Sequence, residues 1–153
     1  MFNLCIAELS EITEGSVSLG AMPPLAGLFE PIGRVVVDVR EIQNRDVLWT
    51  FESRSRQFYY QVEDAYARGA MGVVVVGRRI EPWAGKFCLN VADSIEAFHR
   101  LMRCVRSDNG SWPAAVFGQD ETMQEIMQAI WTRDLEAVRS CIVRLELREI
   151  SAA

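Results

Sequence analysis

The stretch PAAVFGQDETMQEIMQAIW, Pro113 to Trp131, sets a glycine and two carboxylates where an apolar run gives way to a helical pattern. Strand, glycine turn and helix N-terminus is the layout in which backbone amides and a lysine take hold of a phosphate chain. Here Gly118 is the single glycine of the turn and no lysine follows it. Gln119, Asp120, Glu121 and Thr122 stand where free amides and a cation are needed. Carboxylates repel phosphate at short range, whereas at a helix start they suit the helix dipole, and Asp120 can cap. On its residues alone the segment is a nucleotide site, a degenerate phosphate loop, or an ordinary strand-to-helix turn. It is expected to be a short buried strand over Ala114–Phe117, a turn, and a helix that binds no ATP.

Other candidate groups are sparse. Asp38 and Arg40, two residues apart in RVVVDVR, share a face if that run is a strand and can pair at its end. Arg54 and Arg56 in "RSR" form a local basic patch, or simply a solvated loop. Phe58, Tyr59 and Tyr60 enter a helix, where aromatics usually join the core. His99 is the only histidine and no GxSxG motif accompanies it, so histidine-based nucleophilic catalysis has little support. Asp120 with Glu121, or Asp38 with Asp46, would serve an enzyme of another class as an acid–base pair. Nothing in the spacing makes them converge. Cys5, Cys88, Cys104 and Cys141 form no CxxC pair. They read as core thiols of a reducing compartment, and neither a metal nor a cofactor is expected.

These groups sit in a chain of 153 residues, half of them apolar, with net charge −5. That composition supports a packed core and argues against a general grip on nucleic acid or an anionic membrane. The run GAMGVVVVG is too short to span a bilayer. The N-terminus lacks a basic n-region, so a cytoplasmic location is expected.

Periodicity places the elements. IAELSEIT is a short helix with Gly15 to stop it, and GAMPPLAGLFEPIG is a connecting loop. RVVVDVR and DVLWTFE are strands. The helix through RQFYYQVEDAYARGA carries Tyr59, Val62, Ala65 and Tyr66 on one face and stops at Gly69. MGVVVVG is a strand covered on both faces, and KFCLNVAD is another. Asp93 caps a helix running to about Val105, and SDNGSWP is a turn. RDLEAVRSC fits a helix, whereas IVRLELREI alternates strictly and favours a half-exposed edge strand over 142–150. The fold class is α/β, a mixed and partly parallel sheet flanked by helices.

The order of these motifs resembles the N-terminal domain of the Mur ligases, which add amino acids or dipeptides to UDP-N-acetylmuramoyl peptides. That domain runs strand–DSR–GD–LFVA–G–DG–helix–GA–VVV. VVVDVREIQNRDVLWTFESRSRQFYYQVEDAYARGAMGVVVV follows it, with Asp38 and Arg40 at the DSR acid and base, Asp46 at the GD aspartate, and Gly69–Ala70 at GA. CLNVADSIEAFHRLM resembles the next family segment through Val91, Asp93, Ala97 and Leu101, and LSEITEGSV resembles the family's opening.

The resemblance implies a Mur-ligase N-terminal-like α/β domain over 1–106 and an extension over 107–153. It implies a pocket for the uridine diphosphate end of a UDP-N-acetylmuramoyl-type ligand, with Asp38, Val39, Arg40, Arg54, Arg56 and Tyr59 as the candidate contacts. The departures fall at that pocket. Val39 replaces the serine that would offer a hydroxyl, Arg54 stands where some members place a histidine, and the DG pair is missing. In the family the next segment opens an ATPase domain, and AVFGQDETMQEIMQAI looks like its strand and helix without the lysine. Residues 123–153 are too few for a mononucleotide fold, so the expectation is a non-catalytic module, a pseudoenzyme. The alternative is a structural or regulatory interaction protein whose ligand pocket is lost. Its tail would pair with a second copy of the chain or with a cell-wall ligase. No nucleic-acid or membrane partner is implied.

Overall fold

The run Gly72–Val76 has no polar alternation and needs cover on both faces. In the computed structural model, which describes residues 4–51 and 58–151, it is the middle strand of five. The chain divides into two units, Met1–Gly118 and Gln119–Ala153. The first contains α1 (Ile6–Thr13), β1 (Ser16–Leu19), α2 (Pro24–Leu28), β2 (Val35–Val36), β3 (Val47–Trp49), α3 (Phe58–Ala67), β4 (Gly72–Val76), β5 (Phe87–Val91), α4 (Ser94–Val105) and α5 (Ala114–Phe117). The sheet order is β1-β5-β4-β3-β2, with β2 to β5 parallel and β1 antiparallel on the edge beside β5. The architecture is the mixed, partly parallel α/β sheet that the periodicity predicts.

Register sorts the two faces. Val36, Leu48, Val73 and Cys88 align across the sheet and pack with Val39, Ile42, Phe58, Val62, Ala65 and Tyr66 on the α3 side. Trp49, on the alternate face, meets Phe98 of α4 edge-on at 5.1 Å and donates its Nε1 to the Ser94 carbonyl at 3.0 Å. Gly72 is a packing glycine, since a Cβ there would lie 2.3 Å from the Phe87 ring. Asp93 caps α4 as expected, accepting from the amides of Ile95 and Glu96.

Several local expectations change. Ala114–Phe117 is one helical turn rather than a strand. Four apolar residues do not distinguish the two, and Pro113 before them with Gly118 after them (φ 67°) closes a turn. The loop after β1 contains α2, begun by the Pro23–Pro24 pair. The first helix ends in a left-handed residue at Glu14 (φ 57°), one position before Gly15. Strand β1 was not expected at all. Of RVVVDVR only Val35 and Val36 pair as a strand.

The second unit is an antiparallel helix pair, α6 (Glu121–Trp131) and α7 (Leu135–Ser151). The alternating IVRLELREI is therefore helical, not an edge strand. Among its described residues α7 buries Val138, Cys141 and Leu145, and their spacing of three and four is a helix face. Arg144 reaches Glu125 at 3.0 Å, and Arg148 donates to the Thr122 hydroxyl at 3.1 Å. Ion pairs and good helix formers overrode a period of two.

Candidate functional site

In open parallel sheets the carboxyl ends of the strands are where ligands meet the backbone, because the loops that follow are free to vary. At this end of the sheet lie the residues after β2, Thr50 and Phe51 after β3, and the turn after β4. Asp38 follows β2 and caps a 3-10 turn over Val39–Glu41, accepting from the Arg40 amide at 3.0 Å. The Arg40 guanidinium grips the same carboxylate through Nε at 3.1 Å and Nη2 at 2.9 Å. The pair expected at a strand end is present, but on a turn. Asp38 is buried and Arg40 exposed, so a buried carboxylate anchors a guanidinium at the surface. Val39 points into the core below α3, so its side chain is a packing group.

The start of α3 supplies the rings. Phe58 is core, as aromatics entering a helix usually are, whereas Tyr59 and Tyr60 are exposed. Phe58 and Tyr59 stand edge to face at 5.5 Å. The Arg78 guanidinium lies 4.5 Å from the Phe58 centroid and 5.6 Å from that of Tyr59. Stacking of this kind holds the planar fork by its face. Arg78 comes from the turn after β4, where Gly77 takes φ 60°. Asn90 of β5 ties that turn down, accepting from the Gly77 amide at 2.8 Å and donating to the Arg78 carbonyl. Arg79 beside it is exposed. Sequence reading missed Arg78. The signal was a glycine and a basic pair directly after a fully buried strand. Arg54 and Arg56 lie outside the described residues.

Asp46, the other carboxylate of the proposed acid–base pair, is a structural hub. It accepts from the Arg34 amide (2.9 Å), the Gln43 amide (2.8 Å) and the Arg34 guanidinium (2.9 Å). Asp38 and Asp46 are thus each held by their own arginine. Beneath α3, the Tyr66 hydroxyl donates to the Phe87 carbonyl at 2.7 Å, and burial pushes its pKa well up. Burial likewise raises the Cys88 thiol to about 11. His99 is buried in α4. Among the described residues no group of histidine, cysteine or acid is placed to hold a metal, and no helix is long and apolar enough to cross a membrane.

The segment expected to be a degenerate phosphate loop, Gly118 to Thr122, serves helix ends. Gly118 closes α5, donating to the Ala114 carbonyl at 2.7 Å. Gln119 links it to Asp120, which caps α6 by accepting from the Met123 amide at 3.3 Å. Glu121 lies in the first turn and Thr122 accepts from Arg148. The dipole of α6 is therefore met by internal carboxylates.

With this geometry the chain matches solved structures. MurF from Acinetobacter baumannii, in a first crystal structure, superposes with a TM-score of 0.52 at 22% identity, over 69% of this chain and 22% of that one. The fold is Mur-ligase-like. A second crystal structure of that MurF gives 0.53 at 23%, over 71% and 22%. The structure of the UDP-N-acetylmuramoylalanyl-D-glutamyl-2,6-diaminopimelate–D-alanyl-D-alanyl ligase from the same organism gives 0.53 at 22%, over 71% and 23%. The chain thus spans under a quarter of the length of these ligases. No protein-family model matches the sequence, and no curated protein matches it significantly. In fold the chain is a Mur-ligase-like module, as the order of its motifs leads one to expect.

Proposed function

We propose that this module binds a nucleoside-diphosphate sugar of the UDP-N-acetylmuramoyl type at the carboxyl end of its sheet, and does so without turning over ATP. One observation carries the reading: Arg78, braced on Phe58 and Tyr59, stands at the same end of the parallel strands as the anchored Arg40. Two oriented guanidinium groups supply positive charge suited to a diphosphate, and the exposed Tyr59 ring offers a face for the base. The ligand class rests on the likeness in fold to the ligases, one of whose names contains that substrate. The absence of ATP chemistry rests on Asp120 and Glu121 occupying the start of α6.

Calorimetric titration with UDP and with a UDP-N-acetylmuramoyl peptide tests the reading. Binding is expected in the micromolar to millimolar range, weakened about tenfold or more by Arg78→Ala and by Arg40→Ala, since a charge-assisted hydrogen bond contributes about 1.5–3 kcal/mol. Heat indistinguishable from dilution at millimolar ligand would sink it.

A further inference from the structure

Strand β5 is apolar except at Asn90, which sits between the buried Leu89 and Val91. Asn90 pairs in register with Val75, next to the end of β4. Its Oδ1 accepts from the Gly77 amide at 2.8 Å, and its Nδ2 donates to the Arg78 carbonyl. A carboxamide sets an acceptor and a donor side by side, so one side chain fastens both residues that follow the strand. Gly77 takes φ 60° in that turn, yet a Cβ added to it would meet nothing within 4 Å. The glycine is therefore required by its backbone conformation and not by lack of room. Held in this way, the chain leaves β4 in a direction that brings the Arg78 guanidinium over Phe58 at 4.5 Å and Tyr59 at 5.6 Å.

We propose that Asn90 is a positioning residue of the site at the carboxyl end of the sheet. By locking the Gly77–Arg78 turn, it presets the Arg78 guanidinium on the two rings before a ligand arrives. The inference rests on the diphosphate reading for what Arg78 is preset to meet. The rings hold the guanidinium end of the side chain and Asn90 holds the backbone end, so Arg78 is fixed at both ends of its stem. A long charged side chain gives up much rotamer freedom when a ligand immobilises it, and that cost falls when the backbone beneath it is already set. An amide that served stability alone would change the folding free energy on removal and leave the placement of Arg78 as it was.

Nuclear magnetic resonance of the full chain tests the placement directly, because protons over an aromatic face are shifted upfield. In the wild type the Arg78 Hδ and Hε signals are expected upfield of their unfolded-chain values, and Asn90→Ala should return them most of the way. Gly77→Val should do the same from the backbone side, since a β-branched residue resists positive φ. Gly77→Asn, which tolerates it, should keep the wild-type shifts. Calorimetric titration with UDP reads the consequence. Asn90→Ala should raise Kd about two- to tenfold, the scale of immobilising one such side chain, and should add nothing in an Arg78→Ala background. Circular dichroism checks that each variant keeps its fold, and should Asn90→Ala unfold, the two Gly77 variants carry the same comparison. Arg78 signals that stay in place in both Asn90→Ala and Gly77→Val would overturn the proposal. So would a loss of UDP affinity as large without Arg78 as with it, which would make Asn90 a general prop. A wild type that binds no UDP would sink the diphosphate reading, and the Arg78 signals would still decide whether Asn90 sets its placement.

Discussion

Replacing Asp46 by alanine removes a carboxylate that is 2% exposed and serves three donors at 2.8–2.9 Å. Two of these are backbone amides, of Arg34 at the entry to β2 and of Gln43 in the turn before β3, and neither can rotate to another acceptor. The third is the Arg34 guanidinium, which keeps a 3.2 Å bond to the Glu41 carbonyl and reaches solvent, so it re-solvates in part. Hydrogen bonds to a charged group contribute about 1.5–3 kcal/mol each, and a stranded buried donor costs about 1–3 kcal/mol. Discounting the guanidinium and allowing one water into the vacated space, the loss is about 3–5 kcal/mol, the range found when one partner of a buried ion pair is deleted. Urea denaturation measures it, in a Trp131→Phe background so that tryptophan fluorescence reports the first unit alone. With a slope of about 2 kcal/mol per molar, the midpoint should fall by about 2 M. Asp46→Asn, which keeps one acceptor, should lose about half as much. A loss below about 1 kcal/mol for the alanine variant would refute the view that Asp46 ties the two strand entries together.

Three further outcomes follow from the same contacts. Gly118→Ala should destabilise the chain by about 1–3 kcal/mol, read from the same urea curves, because Gly118 lies at φ 67°, ψ −165° and a Cβ there would approach Arg34 Nη1 at 3.1 Å. Asp120→Ala should cost about 1 kcal/mol of helix stability by thermal circular dichroism, the usual loss of an N-cap, and should not create ATP affinity by calorimetry. The thiol of Cys88, raised by burial from 9.0 to about 11, stays protonated in the folded chain while the unfolded chain ionises. Its contribution to stability is therefore complete below pH 9 and lost as pH rises from 9 towards 11, with Tyr66 shifted in the same sense. Urea midpoints at pH 8 and pH 10.5, compared with those of Cys88→Ala, check the sign.

Elements whose burial is one-sided by chemistry were legible in the sequence. The valine run of β4 could be buried only on two faces, Asp93 could only cap, and the positive φ at Gly69 marks where α3 had to stop. The spacing from Asp38 through Asp46 to Gly69 carried the fold, because it records strand, turn and helix lengths that the sheet must accommodate. The tail was not legible, because Val143, Leu145 and Leu147 alternate as a strand would. Only the docking of Leu145 on α6, with Arg144 on Glu125, shows that the helix wins. The candidate site was half legible for the same kind of reason. Asp38 and Arg40 are neighbours in the chain, so their pairing is a local matter. Arg78 lies far along the chain from Phe58 and Tyr59, and they meet only because β3 and β4 are adjacent in the sheet and end on the same side. Local spacing thus determined which elements form and how they are capped. The tertiary structure alone decided which charged groups share a strand end, because that depends on pairing between strands that no short window of sequence contains.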